Sequence, residues 1–319
     1  LAFDQRREFR FMRRTDFRAM GTVIVAFGDD VSRVATHFAG AEAVFSRFDA
    51  DSQLSVLNRD PRAIVVVTAE MAACLSMAKE LSRRTGGLVD PAVANSVIGW
   101  GYDRSFESVI DRSAPEPVAE IGQWAISGTS VHRRPGVNLD LGGFAKGYAI
   151  DRCIEHLRQR GIGNAIVNTG GDLRAIGTRS DRRWRIGIRH PREDTLIASI
   201  DTDGDDSVFT SGDYERLFSV EDVRYHHILD PRTGHPASGT SAVTVVHDNA
   251  AIADAAATAL FVAGPDEWQS IARRMNIERV MLVDRDGVIH LTPAMREVIS
   301  LAKDVTAKVR ISDPHQAQP

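Results

Sequence analysis

The stretch Asn138-Leu-Asp-Leu-Gly-Gly-Phe-Ala-Lys-Gly-Tyr148 joins a polar, glycine-rich turn to the start of a predicted helix. Apolar side chains then recur at helical spacing until Gly161, which predicts a helix over residues 144–160. Paired glycines before a helix let backbone N–H and C=O groups approach a ligand closely. Lys146 falls on the first turn, where a cation opposes the helix dipole, so a phosphate bound nearby would explain it. A solvated lysine at a capped helix start is the alternative.

The segments before this helix combine a predicted strand, two predicted helices and a loop. Residues 19–27 (AMGTVIVAF) are rich in β-branched and apolar side chains, which predicts a buried strand. Helical spacing of apolar residues follows from Val34 to Phe48, and a second helix is predicted from an N-cap at Thr68 to a stop at Gly86-Gly87. Residues 88–117 contain Pro and Gly at intervals, which predicts a loop.

Short strands dominate the sequence after the helix. Apolar, β-branched runs occur at 165–168, 184–189, 196–200, 224–229 and 242–246. We expect two further helices on either side of a break at Gly264-Pro265, and a hairpin over 280–291 with Asp286-Gly287 as its turn. Helices and strands mix without strict β–α–β alternation, which predicts an α+β fold.

The composition is that of a globular protein. The 319 residues are 43% hydrophobic and 26% charged, which excludes wholesale disorder, a collagen-like repeat and a bundle of membrane helices. No stretch approaches the ~18–20 apolar residues of a transmembrane segment. A formal charge of -4 implies no general polyanion-binding surface, so we expect no nucleic-acid partner. Two cysteines cannot form a disulfide framework.

The domain organisation is expected to be simple. We predict one domain over residues 19–305, preceded by a basic extension at 1–18 and followed by a strand and disordered tail at 306–319. The extension holds six arginines and has neither the apolar core of a signal peptide nor a lipid-anchoring cysteine, so the chain as written predicts a cytoplasmic protein. Because it begins with Leu, the alternative is an exported or membrane-anchored protein whose targeting segment has been removed.

Two polar clusters follow predicted strands. For residues 168–172 (NTGGD) a tight turn is the favoured interpretation, because no G-K-[ST] follows as in a phosphate loop. His226 and His227 are adjacent, so on a strand they face opposite sides and at most one joins a site on a given face. Residues 230–234 (DPRTG) are a good turn sequence in their own right.

Asp254 and Thr258 are four residues apart on a predicted helix. They therefore share one face and could reach one ion together. A carboxylate with a hydroxyl suits a hard cation such as Mg²⁺, which prefers oxygen ligands and keeps waters for substrate phosphates. Taken alone, the pair is also explained by a helix acid and a packed threonine without any ligand.

The types, order and spacing of these clusters resemble the FAD:protein FMN transferase (ApbE) family. The resemblance covers residues 19–265 continuously. The matching pieces are 20–22, 48–58, 86–91, 100–101, 139–148, 168–172, 211–216, 227–234 and 253–258. It implies an α+β fold of mixed and antiparallel sheets packed with helices, related to the T-fold.

The resemblance also implies a reaction and a set of site residues. Members of the family bind FAD and Mg²⁺, transfer FMN to a Ser or Thr hydroxyl of a target flavoprotein, and release AMP. Asp254 and Thr258 would be Mg²⁺ ligands together with the carbonyl of Gly143. His227 would accept the proton of the incoming hydroxyl, with Asp230 as an orienting partner, and Lys146 would stabilise the phosphoryl charge. The positions that would contact FAD are Met20, Phe48, Leu88, Val89, Asp90, Asp140, Lys146 and Ile228.

Two other functions remain open at this point. An FAD pyrophosphatase would use water in place of the acceptor hydroxyl and give FMN and AMP. A flavin-binding or delivery protein of the same fold would show no turnover with any metal. The presence of both Asp254 and Thr258 favours an enzyme over the second alternative.

Overall fold

The computed structural model describes residues 12–102, 121–179, 181–214, 218–220, 223–303 and 305–315. Its helices are α1 (Val34–Phe45), α2 (Gln53–Arg59), α3 (Ala69–Thr85), the 3₁₀ turn η1 (Pro91–Val93), α4 (Ala94–Gly99), α5 (Ala145–Gln159), α6 (Ala250–Met275) and α7 (Pro293–Val298). Within these residues, no helix combines the length and apolar character that crossing a bilayer requires.

The strands of the amino-terminal half are β1 (Arg13–Ala19), β2 (Thr22–Gly28), β3 (Ile64–Val66), β4 (Trp124–Ser127), β5 (Ser130–Arg133), β6 (Ala165–Thr169) and β7 (Asp172–Ile176). Those that follow are β8 (Arg185–Arg189), β9 (Leu196–Asp201), β10 (Asp205–Gly212), β11 (Phe218–Val220), β12 (Val223–Tyr225), β13 (Leu229–Asp230), β14 (His235–Pro236), β15 (Thr240–His247), β16 (Arg279–Asp284), β17 (Ile289–Leu291), β18 (Ile299–Leu301) and β19 (Val309–Ile311).

One large sheet organises the molecule. Its strand order is β1-β2-β6-β7-β10-β15-β16-β17-β19, and neighbours are antiparallel except for the parallel pair β17 and β19. Two three-stranded sheets, β18-β9-β8 and β3-β5-β4, accompany it. The prediction of an α+β fold with mixed and antiparallel sheets is therefore confirmed.

The large sheet is covered on both faces, as the alternation along β6 illustrates. Ala165 and Val167 pack into the core shared with helices α1, α3, α5 and α6. Ile166, which points the other way, packs into the core shared with β8, β9 and β18. Trp184 and Trp268 are the largest fully buried side chains, and they lie in different cores. The site described below lies on the helical side.

The amino-terminal prediction needs a correction. Residues 19–27 are not one strand, because a hairpin turn lies at Met20-Gly21 between β1 and β2. Both turn residues have positive φ, 51° for Met20 and 70° for Gly21, as two-residue hairpin loops require. Met-Gly is not a strong hairpin signal, so the sequence did not reveal the turn. Residues 13–18, expected in an extension, form most of β1.

The helix boundaries predicted from the sequence agree with the structure better than the predicted strands do. Thr68 caps α3 and Gly86 ends it with φ 68°, and α6 is interrupted at Gly264, as expected before Pro265. By contrast, β7 and β10 were not predicted, and the expected loop after residue 88 contains η1 and α4. The rest of that loop, from 103 on, lies outside the described residues. A C-terminal strand was expected and is β19, whereas the last four residues of the predicted tail are not described.

Candidate functional site

A cavity of about 870 Å³ opens on the helical side of the sheet. Small-molecule sites are typically ~300–1,000 Å³, so the volume suits a large ligand. The hairpin turn between β1 and β2, the ends of β7 and β10, and the helices α5 and α6 all contribute to it. Of the residues singled out from the sequence, it is lined by Met20, Phe48, Leu88, Val89, Asp90, Asp140, Gly143, Lys146, His227, Ile228, Asp254 and Thr258.

Helices α5 and α6 meet closely at Gly147. A Cβ atom at this position would lie 2.8 Å from the Cα of Ala251 and closer still to the carbonyl of Ala250. The absence of a side chain lets the backbone N–H of Gly147 donate to Oδ2 of Asp254 at 2.9 Å. Glycine is therefore required here for contact between helices, and this contact orients a carboxylate of the cavity wall.

Asp254 is the carboxylate predicted for the metal site, and it is buried, with 5% of its surface exposed. Burial, followed by the nearby Asp172, raises the pKa of this carboxyl, whereas Lys146 and the Gly147 N–H lower it. Within the described residues, the one hydrogen bond to its side chain ends on Oδ2. Oδ1 is thus available to a cation, which would also compensate the cost of burying the charge.

Two more oxygen atoms are placed beside this carboxylate. Thr258 lines the same cavity, with its hydroxyl 3.4 Å from that of Ser211. The backbone N–H of Tyr148 donates to the carbonyl of Phe144 at 3.0 Å, but the backbone N–H of Gly147 donates to Asp254 instead of to the carbonyl of Gly143. Among the described residues, no hydrogen bond therefore ends on the Gly143 carbonyl. Carboxylate, hydroxyl and carbonyl form an oxygen-only donor set of the kind that hard cations prefer.

Within the described residues, no group of three His, Cys, Asp or Glu side chains is placed to hold a metal ion. The set above contains one such side chain, because its other two donors are a hydroxyl and a backbone carbonyl. The four-residue spacing of Asp254 and Thr258 was the signal that the sequence provided.

Lys146 lies on the first turn of α5, as expected, and pairs with Asp172. The other carboxylate oxygen of Asp172 accepts the backbone N–H of Thr210 at 3.0 Å. Asp172 follows a turn in which Gly170 and Gly171 both have positive φ, so the tight turn predicted for 168–172 is observed. Asp172 was not predicted as a site residue from the sequence. Its signal was its position directly after the glycine pair.

Asp140, Arg47 and Phe48 form a second part of the cavity wall. Asp140 accepts the Gly142 N–H at 2.6 Å and pairs through its other oxygen with Arg47. The Arg47 guanidinium in turn lies 4.1 Å from the centre of the Phe48 ring. The Phe48 side chain is 41% exposed, so it offers a supported aromatic surface to a planar ligand. Arg47 was not predicted from the sequence.

The carboxylate of Asp90 serves the scaffold. Its oxygens accept hydrogen bonds from Ser82 Oγ (2.7 Å), the Ala92 N–H (2.9 Å) and Trp124 Nε1 (3.0 Å). These bonds fix the loop that brings Leu88 and Val89 to the cavity. The geometry therefore favours a positioning role for this carboxylate over a direct contact with a ligand.

The two adjacent histidines have different surroundings. His226 is buried, donates from Nε2 to the carbonyl of Ala237 at 2.9 Å and accepts the Ile228 N–H on Nδ1 at 3.2 Å. Burial lowers its pKa. Of the pair, only His227 lines the cavity, with its ring centre 6.3 Å from that of Tyr102. The chain between β12 and β13 is irregular, so the predicted strand over 224–229 is interrupted at the histidines.

Asp230 lies outside the lining of the cavity. Its carboxylate accepts hydrogen bonds from Arg232, at 3.0 Å from Nε and 2.9 Å from Nη2, and from the backbone N–H of the same residue at 2.9 Å. These bonds stabilise the predicted 230–234 turn. The structure does not bring this carboxylate into the site, so the geometry gives no support to its predicted role beside His227.

Comparisons with known proteins agree with this geometry. A family model described as the ApbE family matches residues 20–281. A Rhodobacter capsulatus protein named FAD:protein FMN transferase is 39% identical over 235 residues, which are 71% of this chain but 45% of that protein. A Treponema pallidum protein of the same name is 33% identical over 276 residues, 76% of this chain and 74% of that protein.

Solved structures show the same architecture. The ApbE protein of Thermotoga maritima superposes with a TM-score of 0.82 at 30% sequence identity, covering 90% of this chain and 99% of that one. The flavin transferase ApbE of Vibrio cholerae gives a TM-score of 0.78 at 26% identity, with coverages of 90% and 99%. The described fold is thus shared over nearly the whole of both structures.

Proposed function

The chain belongs to the ApbE family, and from that premise we propose that it transfers FMN from FAD to a Ser or Thr hydroxyl of an acceptor flavoprotein, with AMP as the second product. In this reaction the hydroxyl oxygen forms a bond to the FMN phosphorus, the pyrophosphate bond breaks, and the hydroxyl proton is given up. The relatives that carry this activity in their names support the assignment.

A single observation carries the proposal. One cavity brings together two oxygen donors on α6 and one just before α5, a lysine on the first turn of α5, and an exposed aromatic ring. A diphosphate with an attached planar ring system matches this combination of charge and surface. A common ligand would therefore explain why residues predicted separately from distant parts of the sequence line one cavity.

We further propose that Asp254, Thr258 and the Gly143 carbonyl hold Mg²⁺. Asp254 Oδ1 and the Gly143 carbonyl support this, because both residues line the cavity and no hydrogen bond within the described residues ends on either oxygen, so both are available to a cation. When bound, Mg²⁺ supplies positive charge to a diphosphate, which stabilises the charge that develops when it is cleaved.

The remaining residues have roles that follow from their positions. Lys146, oriented by Asp172, lies where it can bind a phosphate oxygen, and such contacts are typically worth several kcal/mol in the transition state. Phe48 provides a stacking surface, and Met20, Leu88, Val89 and Ile228 provide apolar contacts with FAD. His227 accepts the proton of the acceptor hydroxyl, a role that is typically worth ~10²–10⁴-fold in rate.

The test is a flavinylation assay. The protein is incubated with FAD, Mg²⁺ and an acceptor domain that carries the target Thr, and the acceptor is analysed by mass spectrometry. We expect a gain of one FMN minus water on that Thr, with one AMP formed for each transfer. An acceptor with the Thr replaced by Val should remain unmodified.

Two enzyme variants make the assay specific. Asp254→Asn should abolish transfer, whereas Asp266→Asn, an exposed acid on the same helix, should leave it unchanged. Absence of the mass gain with an authentic acceptor would refute the proposed transfer. Release of AMP from FAD and Mg²⁺ without any acceptor would instead indicate the pyrophosphatase.

A further inference from the structure

Helices α5 and α6 hold each other through two carboxylates. Asp151 on α5 accepts the backbone N–H groups of Ala250 and Ala251, one on each oxygen and both at 2.9 Å. One turn away, Asp254 on α6 accepts the backbone N–H of Gly147 on α5 at 2.9 Å. Each helix therefore binds the backbone of the other, and the contact is reciprocal.

This contact accounts for the beginning of α6. The first N–H groups of a helix have no partner within it and must be satisfied by other groups. Asn249, the N-cap residue, accepts the N–H of Ile252 at 2.9 Å, and Asp151 accepts those of the two residues before it. Two of the three bonds thus come from another helix, which fixes where α6 starts relative to α5.

A buried arginine forms an ion pair with Asp151. Arg174, which is 7% exposed, pairs with Asp151 and binds Asp205 through Nε at 2.9 Å and Nη2 at 3.0 Å. Charge-assisted, forked bonds of this kind are strong and directional. Burial raises the pKa of Asp151, and the backbone bonds and Arg174 oppose that shift. The arginine therefore helps Asp151 to remain a charged acceptor.

We propose that Asp151, supported by Arg174, is a positioning residue that determines the metal affinity of Asp254. This rests on the function proposed above. Asp151 does not line the cavity; it acts by holding α6 against α5, so that Gly147 engages Oδ2 of Asp254 and Oδ1 would be available to the cation. Substitution of groups that orient metal ligands typically lowers metal affinity ~10–100-fold.

A purely structural role makes a different prediction. In that case the loss of Asp151 would lower the stability of the fold and leave the affinity for the metal unchanged. Asn249 provides the matched control, because it caps the same end of α6 but binds Ile252, within its own helix, and makes no bond to α5 in the described structure. Asn249→Ala should therefore destabilise α6 without changing metal affinity more than about twofold.

The experiment titrates the full chain with Mn²⁺ and measures free Mn²⁺ by electron paramagnetic resonance, with Mg²⁺ as competitor. Asp151→Asn should raise the Kd for Mn²⁺ about tenfold or more. In the transfer assay it should raise the Mg²⁺ concentration needed for half-maximal rate by a similar factor, while kcat at saturating Mg²⁺ stays within about threefold of wild type. Thermal melts report stability separately.

The outcomes distinguish the two proposals. If the wild type binds no Mn²⁺, or Asp254→Asn binds it normally, the metal site itself is wrong. If Asp254→Asn abolishes binding but Asp151→Asn binds like the wild type, only the positioning role is overturned. If Asp151→Asn does not fold, Arg174→Lys is tested in its place. An unchanged Kd for Mn²⁺ in a folded Arg174→Lys protein overturns the positioning role. A rise in that Kd of about threefold or more supports it.

Discussion

Lys146 and Asp172 form an ion pair on the cavity wall, and the second oxygen of Asp172 is held by the N–H of Thr210. The pair joins the first turn of α5 to the start of β7, so the position of the ammonium group depends on the sheet. This fixed counter-charge explains why a lysine is tolerated where it opposes the helix dipole. Its proposed contact with a phosphate requires the ammonium group to bind Asp172 and the phosphate at the same time.

Asp172→Asn should impair transfer by releasing Lys146. We expect kcat/KM for FAD to fall about 10–100-fold, equivalent to ~1.4–2.7 kcal/mol of transition-state stabilisation. Steady-state kinetics measure this. The effect of Asp172→Asn should largely disappear in a Lys146→Gln background, because the two side chains act as one unit. Full additivity of the two substitutions would contradict the pairing.

His227→Ala should reduce transfer while leaving FAD bound. Loss of a general base typically costs ~10²–10⁴-fold in rate. We expect such a fall in kcat, with the FAD dissociation constant, measured by flavin fluorescence, changed less than about threefold. The exposed His132 on β5 is the control, and His132→Ala should behave like wild type. An active His227→Ala enzyme would exclude the proposed base.

Phe48→Ala should weaken FAD binding without destabilising the fold. Stacking of a base on an aromatic side chain is worth ~1–3 kcal/mol, so the dissociation constant should rise about tenfold. Because 41% of this side chain is exposed, we expect a small change in melting temperature. Phe48→Tyr keeps the ring and should bind FAD normally. Equal affinities of the Ala variant and the wild type would show that the ring does not stack on the ligand.

Gly147→Ala should destabilise the protein strongly. The added Cβ would overlap the backbone at Ala250 and Ala251, and helices α5 and α6 would have to separate. Overpacking of this kind costs ~1–3 kcal/mol or more, which urea denaturation can measure. Gly40→Ala on α1 is the matched control, because no atom lies within 4 Å of its added Cβ. It should stabilise the protein by ~0.5–1 kcal/mol.

Stability should fall as the pH drops below about 6.5, in part because of His226. Burial lowers its pKa below the ordinary value of 6.5, because removal from water disfavours the charged imidazolium. A histidine with a lowered pKa in the folded state contributes stability that is present above its unfolded pKa and lost as the pH falls.

The measurement is the free energy of unfolding between pH 5 and 8. His226→Gln should flatten the decline at the acidic end, and the exposed His132→Gln should not. His37 and His247 also have pKa values lowered mainly by burial, so part of the slope should remain. An identical slope in His226→Gln would show that this residue titrates normally.

The sequence predicts local features of this fold well and long-range ones poorly. Thr68 and Gly86 mark the ends of α3 because capping depends on neighbouring residues alone. Asp254 and Thr258 share a face because helical spacing requires it. By contrast, strand β7 is only five residues long and fully buried although it contains Asp172 and Arg174, and charged side chains do not indicate a buried strand.

Contacts between distant segments lie beyond such patterns. Asp172 reaches Lys146 only because α5 packs against β7, and Asp151 reaches Ala250 only because α5 packs on α6. Both acids were visible in the sequence, but nothing local separates them from other acids. The burial of His226 and the position of His227 in the cavity lining likewise depend on an irregular backbone, which no periodicity of apolar residues in the sequence indicates.

The order of strands in the large sheet has a practical consequence for biosensing. The strands of the large sheet that contribute to the cavity lie between β1 and β10, whereas β19 forms the opposite edge of that sheet. Four strand spacings of ~4.8 Å separate β10 from β19, or about 19 Å. A surface tether or fluorophore attached just beyond Ile311 would therefore leave the mouth open to a bulky protein partner, while a label on the Met20-Gly21 turn would obstruct it.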